Sequence, residues 1–302
     1  MANVWDETNR DLGPTMRDTQ PSPSSVVVGI DGSRNSLTAA LWAVDEAIAR
    51  DIPLRLVYAI DAEHTATNAE ESARVLAKAE TAVRMAFMAI ESTNKPVKIE
   101  VEILQGRPTD VMLQAARAAE MICVGPIGLK NAAAGRIGST AAALASRARC
   151  PVAIVRGYDP LVKTGSVVAE VDSSPDSDAV LERGIKEALL RNAPLVVISA
   201  WQTKGGDVFD AQAVAERNQQ VRAELSRRLA HCTRQHPELD VTPVAAHGSL
   251  LTYLSRHAQS TQLVVVGRRR AHGIAEMVGP PCYAALRDSD CSVLVCAPPN
   301  PL

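Results

Sequence analysis

From residue 26 onward, short runs of β-branched residues alternate with longer stretches in which apolar positions recur at helical spacing. Strands are predicted over 26–30 and 54–60, and helices over 36–50 and 69–92. Such alternation produces a parallel sheet, because each helix returns the chain to the end from which the next strand starts, and helices then cover both faces. Within 69–92 the predicted buried stripe is Leu76, Val83, Phe87 and Ile90, which places Phe87 in the core. Val97, Ile99, Val101 and Ile103 alternate with Lys98, Glu100 and Glu102, the pattern of a strand with one wet face or at a sheet edge. Gly106-Arg107-Pro108 supplies a turn with proline near a helix start. The series continues with a helix over 109–119, a buried strand over 121–125, a helix over 139–149 and a strand over 151–155. This makes a flavodoxin-like, doubly wound α/β domain with strand order 3-2-1-4-5.

Ile30-Asp31-Gly32-Ser33 returns 141 residues later as Val171-Asp172-Ser173-Ser174. The match continues without a gap: Glu46-Ala47 with Glu187-Ala188, Arg50 with Arg191, Pro53-Leu54 with Pro194-Leu195, and Leu56-Val57 with Val197-Ile198. Gly106 pairs with Gly248 and Val124-Gly125 with Val266-Gly267 at an offset of 142, while Cys150 and Cys291 return to 141. One residue is therefore missing from the second copy between Gly267 and Cys291, and the chain reads as a tandem duplication. The expected division is a disordered leader over 1–24, a first domain over 25–157, a linker over 158–164 and a second domain over 165–298. Each domain is a Rossmann-like α/β unit with a five-stranded parallel sheet and helices on both faces.

Composition narrows the function classes. The 32 basic and 34 acidic residues of the 302 leave a net charge of −2, so no global field recruits nucleic acid or an anionic membrane. No apolar run approaches the ~18 residues of a membrane span, and the polar start lacks a secretory core, so a cytoplasmic protein is expected. The six cysteines lie mostly in apolar runs with no CxxC pair, which predicts buried thiols rather than disulfides or zinc ligands. The six histidines show no HExxH or comparable spacing, so no metal site is predicted among them.

The candidate chemistry follows the fourth strand of the first copy. That strand runs into Gly125-Pro126-Ile127-Gly128, nine residues follow, and Gly138-Ser139-Thr140 opens a helix. Glycines let the main chain approach a bulky anion and adopt positive φ, and the open N–H groups of a helix start are donors for phosphate oxygens. Ser139 and Thr140 add hydroxyls, and Lys130 and Arg136 add positive charge. In a 3-2-1-4-5 sheet the carboxyl ends of strands one and four flank the topological switch point, where the first strand ends with Gly29-Ile30-Asp31. Asp31 can accept hydrogen bonds from a ribose or hold a hydrated metal ion that bridges phosphates; alternatively it caps the helix beginning near Ser36.

On these residues, 26–156 resembles a universal stress protein domain. That family's ATP-binding pattern is glycine, two residues, glycine, nine residues, glycine, then serine or threonine. Gly125, Gly128, Gly138 and Ser139 fit it without a gap, and Val28-Gly29-Ile30-Asp31-Gly32-Ser33 fits the family's first strand and turn. The resemblance implies ATP as cofactor, with Mg2+ or Mn2+ on its phosphates. It places adenine near the end of strand two, with backbone contact around Ala59, and the triphosphate on the glycine loop. The nucleotide-binding set is then Gly29, Asp31, Ala59, Gly125, Gly128, Gly138, Ser139 and Thr140. The resemblance also implies pairing of domains through the fifth strand, between chains in a homodimer or within one chain as a pseudo-dimer, and 152–155 and 292–295 are apolar enough to serve.

The second copy departs from the pattern. Gly279 matches Gly138, but Arg270 replaces Gly128, the loop is one residue shorter, and Pro280-Pro281 replace Ser139-Thr140. Two prolines remove two N–H donors and both hydroxyls, and arginine is costly at a close-approach, positive-φ position, so one nucleotide per chain is predicted. Arg268-Arg269-Arg270 is read as an exposed, solvated loop, the alternatives being an anion clamp or a contact to the other copy or to a partner. Trp42 and Trp201 are read as packing residues, Trp201 with the further option of filling the vacant adenine space.

No nucleophile elbow, Walker or kinase signature occurs, and no histidine or carboxylate pair accompanies the glycine loop as a general base. No catalytic residue is assigned, and bound ATP is expected to be hydrolysed slowly or not at all. The implied function is that of an ATP-binding regulatory protein of the stress response, acting on an unidentified protein partner. An ATP-hydrolysing or adenylate-transferring enzyme of the same architecture and an interaction module without nucleotide are the rival readings.

Overall fold

The computed structural model describes residues 24–61, 69–128, 137–158, 165–202 and 211–297. Nearly all of the expected leader, most of the linker, Lys130 and Arg136 lie outside those residues. The first half runs β1 (Ser25–Ile30), α1 (Arg34–Ala49), β2 (Leu54–Ile60), α2 (Ala69–Glu91), β3 (Ile99–Gln105), α3 (Pro108–Ala115), β4 (Ala119–Val124), α4 (Ser139–Arg147) and β5 (Val152–Ile154). The second half repeats the order with β6 (Ser166–Glu170), α5 (Ser177–Arg191), β7 (Leu195–Trp201), α6 (Ala211–Gln235), β8 (Val241–His247), α7 (Leu250–His257), β9 (Thr261–Gly267), α8 (Ala275–Val278), α9 (Pro280–Leu286) and β10 (Ser292–Cys296). Even the turns repeat: Gly106 and Gly248 both hold positive φ, at 142° and 109°, where β3 and β8 pass into their helices. Their N–H groups donate to Ile60 O and Trp201 O at 2.8 and 2.9 Å.

Strand order in each half is 3-2-1-4-5, and the halves join into one ten-stranded sheet, β3-β2-β1-β4-β5-β10-β9-β6-β7-β8. The join is antiparallel, with Val293 opposite Ile154 and Val295 opposite Val152, whereas every other strand pair is parallel. The fifth-strand pairing is thus made inside one chain. Strands buried on both faces need near-continuous apolar sequence, and the SVVVGI run of β1 meets that need. One core lies under α1, α2, α5 and α6, the other under α3, α4, α7, α8 and α9, and both run unbroken across the join.

The charges that sit at the join are duplicated too. Glu46 of α1 and Arg50, which caps its carboxyl end, face Glu187 and Arg191 of α5, the residue pairs matched by the repeat, and both glutamates are fully buried. Arg191 reaches Glu46 at 2.6 Å and also holds Glu187, while Arg50 reaches Glu46 at 2.8 Å and Glu187 at 3.4 Å. Arg191 also lies over the ring of buried Trp42, 4.8 Å from its centroid.

Two sequence expectations are corrected. The third helix stops at Ala115 rather than 119, because Ala119 already pairs with Ser25 at the start of β4. In α2 the core-facing stripe is Ala79, Ala82, Val83, Ala86 and Ile90, while Leu76 and Phe87 are 44% and 38% exposed. The alanines let α2 lie close on the sheet, and the two larger side chains fall on the flank of that stripe. The outer edges carry Glu100 and Glu102 on β3 and Pro243 on β8. All six cysteines are buried and unpaired, and burial pushes the Cys150 and Cys296 thiols up to about 12.

Candidate functional site

β1 and β4 are neighbours, so the β1–α1 turn and the β4–α4 loop meet at the carboxyl edge of the sheet. Gly32, at φ +82°, turns the chain, and Ser33 caps α1 by accepting the Ser36 N–H at 3.1 Å. Asp31 is therefore not the helix cap. Its Oδ1 accepts the Ser33 N–H at 2.9 Å and braces the turn. Burial and the Asp31 charge hold the Tyr58 hydroxyl above its ordinary value, so this side chain of β2 belongs to the same neighbourhood.

The loop glycines have separate physical reasons. A Cβ on Gly125 would stand 2.6 Å from Asn35 Cβ, so glycine lets the loop lie against α1, and Asn35 Nδ2 fastens it by donating to Ile127 O at 2.8 Å. A Cβ on Gly128 would stand 2.5 Å from Asp31 Oδ2, so the loop main chain passes directly beside that carboxylate. Gly138 N–H donates to Pro126 O at 2.7 Å, which closes the loop onto its own start. None of the three has positive φ, so close approach, not left-handed backbone, is what selects glycine here. Gly138 occupies the N-cap of α4 without a capping side chain, leaving Ser139 and Thr140 at the helix start.

Gly29 and Ala59 stand somewhat apart from that edge. Gly29 is inside β1, where a Cβ would meet Met112 Cε at 3.0 Å, and Ala59 is a half-buried residue of β2 packed toward α3. Beside Asp31 and Gly32 a cleft of about 520 Å3 opens toward Ala77, Lys78, Thr81, Ala82 and Met85 of α2. No group of three or more potential metal-ligating side chains converges among the described residues.

The corresponding edge of the second half is filled by its own side chains. Arg270, the counterpart of Gly128, is only 4% exposed. Its Nε and Nη2 donate to Glu170 at 2.5 and 2.7 Å, and its Nη1 to Gly273 O at 3.2 Å and to Glu276. Glu170 is the counterpart of Gly29, a partner that the glycine pattern alone did not single out. The 141-residue offset marks it, as a carboxylate appearing together with an arginine. Arg269 donates through N–H and Nε to fully buried Asp176, the counterpart of Asn35, both at 2.8 Å. Asp172, the counterpart of Asp31, accepts the Ala271 N–H at 2.7 Å. Burial opposes its ionisation, but hydrogen bonds from Ser174 and Ala271 and the Arg270 charge outweigh that and lower its pKa. Arg268 crosses to the first half, where Nε donates to Ala145 O at 2.9 Å.

The solvated-loop expectation is thus corrected for Arg270, which is buried on Glu170, and for Arg268, which makes the alternative contact to the other copy, while Arg269 stays exposed although it pairs with Asp176. Trp201 is also committed, its indole N–H donating to Asn218 Oδ1 at 2.8 Å and its ring tilted against His247.

A doubly wound, mostly parallel sheet with helices on both faces and a glycine loop at its switch point is a Rossmann-like α/β architecture, here present twice. The model of the universal stress protein family matches residues 24–156 and 164–297, and this chain belongs to that family. It is 44% identical over 276 residues to universal stress protein Rv2028c of Mycobacterium tuberculosis H37Rv, covering 90% of this chain and 96% of the relative. A universal stress protein crystal structure from Archaeoglobus fulgidus shares the fold at TM-score 0.68 and 18% identity, covering 91% of this chain and 97% of that one. A shorter universal stress protein solved in complex with cAMP is 28% identical, with TM-score 0.37, over 45% of this chain and 98% of its own.

Proposed function

We propose that this protein is a regulatory ATP-binding protein that holds one nucleotide per chain, in the first half. The observation that carries the reading is the contrast at one position. Gly128 leaves a main-chain path open beside Asp31, while its counterpart Arg270 lies buried against Glu170. In the first half the triphosphate rests on the N–H groups of Gly128, Ser139 and Thr140, with the two hydroxyls adding donors and the α4 dipole favouring the anion. Gly125 and Gly138 shape the cradle, Asp31 would face the ribose or a phosphate-bound cation, and Gly29 and Ala59 border the adenine side. If Mg2+ or Mn2+ accompanies the nucleotide, Asp31, whose carboxylate lies beside the loop, would be the residue to hold it, and the ion would supply positive charge to the phosphates.

Two terms set affinity apart in the two halves. Pro280 and Pro281 remove donors at the start of α9, and Arg270, held on Glu170, fills the place that Gly128 takes in the first half. At ~1.5–3 kcal/mol per charge-assisted hydrogen bond, losing two or three costs several orders of magnitude in affinity. Occupancy then acts by shifting a conformational population, which requires that the two states bind ATP unequally. The buried, unpaired thiols suit a reducing cytoplasm, where we place the protein.

The test is calorimetric titration of the full chain with ATP beside Gly128→Arg. Wild type is expected to bind one ATP per chain. The variant is expected to lose at least about a hundredfold in affinity, as two lost charge-assisted bonds imply. Its ligand-free melting temperature is expected to stay close to wild type, because the clash is with the flexible end of Asp31. Equal affinities, or two ATP per chain, would overturn the assignment.

A further inference from the structure

From the contact between Arg268 and α4 we infer that the altered loop of the second half has become a positioning device for the nucleotide site of the first half, Arg268 acting as the borrowed C-terminal cap of α4. This inference rests on the nucleotide reading above, because α4 is the helix whose first turn opens the proposed phosphate cradle.

A helix leaves its last carbonyls without amide partners, and donors, above all cationic ones, stabilise that end. The helical conformation of α4 ends at Arg147, and Ala148 is already extended, at φ −63° and ψ 148°. Arg149, the residue that would donate to Ala145 O in a continuing helix, lies beyond that break. Arg268 Nε fills the place at 2.9 Å. Ala145 is fully buried, so water is a poor substitute for the missing donor. α8 of the second half also packs against α4, so the contact belongs to a continuous interface.

The duplication supplies an internal control. The counterpart of Ala145 is Leu286, whose carbonyl is satisfied within its own copy by Ser289, through the N–H at 3.2 Å and the hydroxyl at 3.1 Å. The counterpart of Ser289 is Ala148, which has no hydroxyl to offer. The counterpart of Arg268 is Pro126, which has no side-chain donor to send the other way. This capping contact therefore runs in one direction. The half whose own cradle is plugged caps the helix of the half whose cradle is open. Each end of α4 then has a partner of the sign its dipole prefers: the guanidinium at the carboxyl end, and the phosphates at the amino end once nucleotide binds.

The full chain carrying Arg268→Met or Arg268→Lys is to be titrated with ATP and separately with adenosine, and amide exchange is to be followed over 139–147. Arg268→Met is expected to weaken ATP binding about fivefold, the lower range of couplings between linked sites. Adenosine affinity is expected to hold, since no phosphate meets α4, and exchange over α4 should quicken. Arg268→Lys is expected to recover part of the ATP affinity. Wild type that binds ATP while Arg268→Met binds it equally well overturns this inference alone, as does equal loss for ATP and adenosine. Wild type that binds no ATP overturns the nucleotide reading and this inference with it, and unchanged α4 exchange in that case removes the capping role as well.

Discussion

The fate of single residues in the second half shows how a binding loop is closed without unfolding the edge that carries it. In the second half Arg270 is buried at the place of Gly128 together with Glu170, which stands at the place of Gly29, and the pair desolvates together. Arg270→Met is expected to destabilise the protein by about 3–5 kcal/mol, because it leaves Glu170 buried without its main counter-ion. The double variant with Glu170→Met is expected to regain most of that loss. Urea unfolding of the three proteins checks this, and a double variant as unstable as the single one would contradict it. Arg270 was legible in the sequence because glycine spacing drew attention to it. Glu170 was not, because a lone acid at a strand end has no local signature. Nor could sequence tell that Gly125 and Gly128 serve close approach, to Asn35 and Asp31 respectively, rather than positive φ.

At the scale of elements, α1 and α5 bring two carboxyls into one buried, arginine-lined site, and their titrations diverge. Burial and repulsion from Glu46 push Glu187 up to about 7 from 4.5, against the pull of Arg191 and Arg183. Burial opposes ionisation of Glu46 as well, but Arg191 and Arg50 outweigh it and lower its pKa. The folded protein thus keeps a proton on Glu187 that the unfolded chain releases, and stability falls as pH rises from 4.5 to about 7. Glu187→Gln is expected to flatten that fall, worth at most about 3 kcal/mol, without separating the halves. Denaturant midpoints measured across the window decide it, and an unchanged slope would refute the assignment.

The elements themselves were largely readable, because the β-branched runs and their spacing specify parallel strands between helices. The exposure of Phe87 was not, since small residues set how closely α2 lies on the sheet and periodicity counts large ones more readily. The opposition of Glu46 and Arg191 depends on an antiparallel join that no local pattern encodes.

For the whole molecule, the join uses the same surface twice, once from each copy. A fragment of residues 24–158 retains β5, Glu46 and Arg50, and two such fragments offer one another what β10, Glu187 and Arg191 offer in the intact chain. The fragment is expected to sediment as a dimer, and Glu46→Lys to make it monomeric, because the change places cations opposite cations. A monomeric wild-type fragment at micromolar concentration would show that covalent linkage, not surface complementarity, holds the halves together. Duplication was visible in the sequence as a constant offset, whereas the way the copies meet required the pairing of β5 with β10.

Fusion at the fifth strands leaves only dissimilar margins for further growth. Along one border, Glu100 and Glu102 present acid to any incoming backbone; along the other, Pro243 withholds a donor in mid-strand. Borders of that kind disfavour the addition of another sheet at either end of the ribbon.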